Sequence, residues 1–498
     1  MPRIRTTKTA SGATAVQIVS YDKGKTVVHH HVGSTRNEKA LRRLYEQAEV
    51  YLATHAQQAR LFTWPLSPIP ERVQYLRVTH TFARDVLLAC FRFCGFETLK
   101  EPILIDLALM RLLEPASKRR TLELAKRYFG ITHVYRTVER ALRRFVKKKE
   151  DIERIAFSFA KKTLNEPFAL VLYDVTTLYF ESFRADDLRR QGFSKDNKHV
   201  QPQIVIGLLV TVSGFPVAWD VFKGNTFEGH TMLPILAHFA KVNNVSLPVI
   251  VADSAMLSKT NLADLRKESV SYIVGARLAN TSPSFIKNVS HALNRIDEKT
   301  VRLLYRGEIV VCAFSEKRYR KGKREMEKQV EKARALVARN ESGRRAKFVK
   351  KSGDGIVAFD DTLRGKAELL LGIKGYVTNI PEEKLSNTEV IAFYHNLWRV
   401  EESFRMSKHD LSARPIFHRV DEAIRAHVLI CFVALMVGKY LELSTGLSIR
   451  RIRDLLWNVT EAHIQDTVTG EVFILRSPLD EVIHSPLGAV MEKIGFTY

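Results

Sequence analysis

Two aspartates sit where buried apolar strands run out. Asp174 closes the run Phe168–Tyr173 (LVLYD), and Asp253 closes Pro248–Ala252 (VIVAD). If the two strands lie side by side and parallel, their C-terminal ends place both carboxylates at one edge, where ligands of such sheets gather. A carboxylate just beyond a buried strand is partly desolvated, and a divalent cation compensates that cost. Caps and ion pairs use aspartates at strand ends as well. A third acid, Glu401, borders an apolar stripe of Phe393, Leu397, Val400 and Phe404, whose spacing faces a helix toward a core. Tyr394, Glu401 and Lys408 are seven apart and share one helical face, with Arg405 a turn beyond Glu401. A carboxylate beside a phenol and two cations suits a phosphate ester held against metal. Three carboxylates hold two Mg²⁺ ions about 3.5–4 Å apart, one activating an attacking hydroxyl and the other stabilising the leaving oxygen. Mg²⁺ takes carboxylates, water and substrate phosphate, so neither His nor Cys is required.

The elements that must position these residues are legible from pattern. Gln203–Val212 and Pro216–Phe222 flank Ser213-Gly214, a hairpin signal. Thr231–Val242 and Asn261–Lys267 read as helices, Ser271–Gly275 as a strand, and Thr388–Lys408 as one strong helix. The predicted architecture is therefore α/β, a mixed sheet covered by helices. Between about 280 and 385 the pattern is interrupted: Thr300–Phe314 reads as a hairpin across Arg306-Gly307, and Arg318–Lys351 is intensely charged. That charged stretch is read either as a solvated helix or as a basic arm on DNA. Before the sheet, residues 61–160 form a helix-rich region crowded with Arg119, Arg120, Arg136, Arg140, Arg143 and Arg144, a pattern resembling helix-turn-helix DNA binding or else a solvated face. Residues 1–60 read as a small hairpin plus helix; residues 444–498 give no clear signal.

Composition narrows the partner. In 498 residues, 78 Lys+Arg against 54 Asp+Glu leave a net charge of +24. Such an excess favours a polyanion, because neutralising phosphates releases counterions. Four cysteines in apolar stretches give neither a zinc pattern nor a disulfide framework. MPRIRTTKTASG lacks the apolar core of a signal peptide. The longest apolar run, Val428–Val437, is about half a membrane span and reads as a core helix. No membrane partner and a cytoplasmic, nucleoid-associated location are expected.

The stretch YHNLWRVEESFRMSK at 394–408 resembles the Tyr-x2-Arg-x3-Glu-x6-Lys signature of bacterial insertion-sequence transposases of the DDE superfamily. Tyr394, Glu401 and Lys408 match it; Leu397 stands at the Arg position, and Arg399 does not share that face. YDVTTLYFES at 173–182, GFSKDNKHVQPQIVIGLLV at 192–210, FKGNTFEGHT at 222–231, VIVADSAMLSKTNLADL at 249–265 and RLLEPASKRR at 111–120 resemble the same family. The resemblance implies a ribonuclease H-like, retroviral-integrase-like core at 165–280 and 386–443, split by an insertion domain at 281–385, behind a helical N-terminal DNA-binding region. It implies Asp174, Asp253 and Glu401 as catalytic metal ligands for two Mg²⁺ ions, with Mn²⁺ as substitute. Tyr394 and Lys408, and also Arg405, Trp398 and Arg399, would contact DNA. The implied partners are the terminal inverted repeats of an insertion sequence and target DNA, with a homodimer in the synaptic complex. An inactive transposase-derived DNA-binding protein and a plain metal-dependent nuclease are the competing readings.

Overall fold

The computed structural model describes residues 2–22, 24–55, 72–181, 184–193, 200–254, 258–339, 346–351 and 357–497. They fall into two compact units. The smaller comprises residues 1–85, 126–130 and 455–481. In it, strands Arg3–Lys8, Thr14–Asp22 and Lys25–Thr35 pair antiparallel, and helix Glu38–His55 packs over Val16 and Ile18. A second sheet joins Val73–Thr79 to Glu461–Asp466 and Val472–Arg476. Those last two strands come from the stretch that gave no signal. The first is half-buried along its middle and the second exposed at every position, so no alternation of buried and solvated positions marked them.

The larger unit is built on one eight-stranded mixed sheet. Its strands are β1 (Leu170–Tyr179), β2 (Gln203–Val210), β3 (Pro216–Lys223), β4 (Val249–Ala252), β5 (Tyr272–Gly275), β6 (Thr300–Tyr305), β7 (Glu308–Phe314) and β8 (Ile373–Thr378). They lie in the order β6-β7-β8-β5-β4-β1-β2-β3. β1 runs parallel to β4, and β4 to β5; the other neighbours are antiparallel. β2 is buried at every position, as its unbroken apolar sequence requires of a strand covered on both faces. The β6–β7 hairpin turns on Arg306 (φ 53°) and Gly307 (φ 79°), the left-handed pair that such two-residue turns need. Residues 300–314 and 373–378 extend this same sheet.

Helices of this unit include α1 (Pro102–Leu113), α2 (Lys118–Phe129, whose last turn belongs to the smaller unit), α3 (Met232–Asn243), α4 (Glu316–Ala338), α5 (Asn387–His395), α6 (Trp398–Arg405) and α7 (Asp421–Thr445). α3 lies on one face of the sheet, where Thr231 at its start shares a 2.6 Å hydrogen bond with the buried Tyr173 hydroxyl. α6 and α7 lie against the other face, over β1 and β3. α7 is long and apolar enough to cross a membrane, yet 89% of its most apolar window is buried inside the fold. It exceeds the expected core helix because polar residues at both ends continue the turn.

Two sequence expectations require correction. Asp174 is not past the end of its strand. β1 continues to Tyr179, paired with β2 throughout, although its parallel partner β4 stops opposite Tyr173. The segment Thr388–Lys408 is not one helix. α5 ends at His395, and i→i−3 bonds tighten the chain at Asn396 and Leu397 (3.1 Å each). α6 follows, then a π-helical turn over Met406–Asp410. Neither break carries a Pro or Gly, so period alone did not reveal them.

Candidate active site

The acidic edge is made where β4 ends. Tyr173 and Ala252 are the last parallel partners of β1 and β4. Asp174 and Asp253 are each one residue further, on strands about 4.8 Å apart, so their side chains start from neighbouring positions on one face. Asp174 shares its face of β1 with Thr176 and Leu178, which are covered by Phe404 of α6 and by α7. It is half-buried, whereas Asp253 is exposed and accepts the Ser254 amide at 2.6 Å.

The third contributor arrives on α5 and α6. A capping box at Ser386 and Glu389 starts α5, and the hydroxyl of buried Tyr394, on its last turn, donates to Asp253 Oδ1 at 3.2 Å. Gly275, closing β5, makes that approach possible: a Cβ there would stand 2.5 Å from the Tyr394 hydroxyl. Beyond the tight turn, Leu397, Val400 and Phe404 are buried and Glu401 is exposed beside them. α6 is pinned to the β2–β3 turn. The Ser403 hydroxyl donates to Gly214 O at 3.0 Å, and Arg399 Nη1 donates to Ser213 O at 3.0 Å.

Electrostatics tie Glu401 to the edge. Lys374, on β8, lays its amine over the Tyr394 ring at 4.6 Å. Burial lowers the Lys374 amine from its ordinary range and Arg318 lowers it further, while Asp253 and Glu401 both pull the other way. Burial raises the Tyr394 phenol well above its usual value, helped by the charges of Asp253 and Glu401. Both groups therefore feel both acids. Arg318, at the start of α4, also bonds Gly372 O at 3.4 Å.

The remaining expected residues are placed unevenly. Lys408 lies in the π-helical turn and lines a cavity of about 30 Å³ with Thr176 and Leu178, on the Asp174 face of the sheet. Trp398 is 51% exposed, and Arg405 is exposed and 3.6 Å from Glu402. Arg399 is half-buried and bonds the Ser213 carbonyl. Sequence reasoning missed Lys374, Arg318 and Gly275. A lysine inside a short strand and a glycine at a strand end carry no distinguishing local pattern.

Carboxylate oxygens are the donor chemistry of a hard divalent ion. The three acids border one edge without closing on a common point. Among the described residues, no three His, Cys, Asp or Glu side chains stand close enough to hold one ion. Facing carboxylates repel one another, and the cation beside two of these is the Lys374 amine.

The transposase DDE domain family matches residues 168–437, from the start of β1 through most of α7. No curated protein matches the sequence. Among solved structures, the cryo-EM structure of a piggyBac transposase synaptic complex with hairpin DNA is similar at a TM-score of 0.37 and 11% identity. That match covers 85% of this chain and 77% of the other. The large mixed sheet with helices on both faces fits a ribonuclease H-like core. With more than half of its length matched, Asp174, Asp253 and Glu401 included, the chain belongs to the DDE transposase family.

Proposed function

We propose that the chain cuts DNA at the terminal inverted repeats of a bacterial insertion sequence, in the group carrying the Tyr-Arg-Glu-Lys signature, and joins the freed ends to target DNA. The observation that carries this reading is the pairing of Asp174 and Asp253 one residue beyond the last parallel register of β1 and β4, with Tyr394 donating to Asp253. Asp174, Asp253 and Glu401 are the residues that would hold two Mg²⁺ ions, or Mn²⁺ in their place, and the ions would supply activation of the attacking oxygen and stabilisation of the leaving one.

Water attacks the phosphodiester at the element's end, and the P–O bond that breaks frees a 3′-hydroxyl. That hydroxyl then attacks a target phosphodiester and expels a second 3′-oxygen. Tyr394 fixes the Asp253 carboxylate by its hydrogen bond. Lys408, Lys374 and the exposed Arg405 meet the negative phosphate, and exposed Trp398 lies along the DNA. The basic helices of residues 61–160 bind the ends, and a homodimer pairs two of them.

Asp174→Asn tests this directly. The variant should bind end DNA at wild-type affinity and cut none of it in Mg²⁺; cutting at the wild-type rate would refute the proposal.

A further inference from the structure

Away from the acidic edge, one cavity of the larger unit gathers four cationic side chains and two histidines in its wall. Arg111 on α1, Lys118 and Arg119 on α2, and Arg414, His418 and His427 line a space of about 270 Å³. Arg111 and Lys118 are each 6% exposed. Among the described residues, the Lys118 ammonium has one hydrogen-bond partner, His427 Nδ1 at 3.3 Å. His427 Nε2 faces the Ala413 carbonyl at 3.0 Å, so that nitrogen carries the ring proton and Nδ1 accepts. A neutral imidazole offers the ammonium no counter-charge. Arg111 donates to the Leu411 and Ser412 carbonyls, at 3.4 and 3.3 Å. Among the described residues, no carboxylate pairs with Lys118 or Arg111.

Buried cations without an anion are costly. Burial, and then the Arg111 charge, push the Lys118 amine down to about 7. Burial, with Lys118 and Arg111 behind it, holds His427 well below its ordinary value. The cavity opens at a rim where exposed Arg119 lays its guanidinium over Tyr135 at 5.5 Å and Phe417 is 69% exposed. A cation on a ring beside a second exposed ring is a surface along which nucleotides lie. The wall-forming loop after Leu411 follows the turn that holds Lys408, and its Ile416 bridges Phe180 next to the end of β1.

We propose that this cavity is a phosphate site for the DNA strand, with Lys118 and Arg111 at its floor and Arg119 at its rim. The anion chemistry stands on the cavity itself; DNA as its source rests on the transposase function.

Lys118→Met keeps the length of the side chain and removes an uncompensated charge, so it should fold and melt above wild type. Inorganic phosphate should raise the melting temperature of the full wild-type chain above a chloride control of equal ionic strength, and leave Lys118→Met unmoved. For a short duplex of arbitrary sequence in EDTA, the slope of log K against log salt should shrink by about one in Lys118→Met. Arg119→Ala, at the exposed rim, should give a similar loss and serves if the first variant does not fold. Asp174→Asn should return wild-type values in both assays; loss of the phosphate response there would put the anion at the acidic edge and overturn the proposal. Failure of DNA cleavage with both pocket responses intact would sink the catalytic reading and leave the pocket standing. Identical phosphate response and salt slope in wild type, Lys118→Met and Arg119→Ala would overturn it. A phosphate response lost in Lys118→Met with an unchanged slope would overturn DNA as the source and assign a free anion.

Discussion

At the scale of single residues, Tyr394 links the parts of the site. Its hydroxyl is buried, held in the neutral form, and aimed at Asp253 across the gap left by Gly275. A carboxylate left to rotate is a poorer partner for a cation than one fixed by a donor. Tyr394→Phe removes that donor and little else, since the ring still packs against Tyr376 at 4.9 Å. The expected loss is about tenfold in single-turnover cleavage, which corresponds to ~1.4 kcal/mol, the size of one hydrogen bond to a charged group. An unchanged rate would show that the hydroxyl does not position Asp253. The aspartates stood out because a polar residue abruptly ends an apolar run, whereas the seven-residue spacing that singled out Tyr394 assumed an unbroken helix, which the turn at Asn396 and Leu397 interrupts. Lys374 did not stand out: its partners lie on α5 and beyond β4, and nothing in IKGYV announces them.

At the scale of elements, the site depends on how α6 is anchored. The Ser403 hydroxyl is fully buried and bridges Gly214 O and Arg399 O, while Arg399 secures Ser213 O. These bonds tie the helix carrying Glu401 to the β2–β3 turn. Ser403→Ala leaves a buried carbonyl with one partner fewer and should cost about 1–2 kcal/mol in denaturant unfolding. Cleavage should fall with it, because Glu401 rides on the same two turns; a variant as stable as wild type would contradict the anchoring role. The strands of the main sheet were readable from apolar runs and from turns that glycine permits, at Gly214 and Gly307. The break between α5 and α6 was not, since Asn396 and Leu397 are compatible with an unbroken helix. Nor did the charged stretch around α4 disclose its role. Only Ala333 and Leu336 of that helix are buried, yet the charge of Arg318 at its first turn acts on Lys374.

At the scale of the whole molecule, the net charge of +24 sets the terms of any encounter with DNA. Duplex binding in EDTA should weaken by on the order of 10³–10⁵ between about 50 and 200 mM salt, the loss expected for six to ten phosphate contacts. Fluorescence anisotropy checks this, and a change below tenfold would mean that the charge is spread over surfaces DNA does not touch. Charge and family were legible from composition and motif. The joining of strands 461–466 and 472–476 to strand 73–79 was not, because pairing across such a distance leaves no local trace. The central claim is that the acids at the sheet edge act by holding metal, and Asp253→Cys probes it most directly. A thiolate prefers softer ions than Mg²⁺. Cleavage of element-end DNA by this variant should vanish in Mg²⁺ and return in Mn²⁺ or Cd²⁺. Wild-type cleavage in Mg²⁺, or none with any of the three ions while end binding persists, would contradict the account.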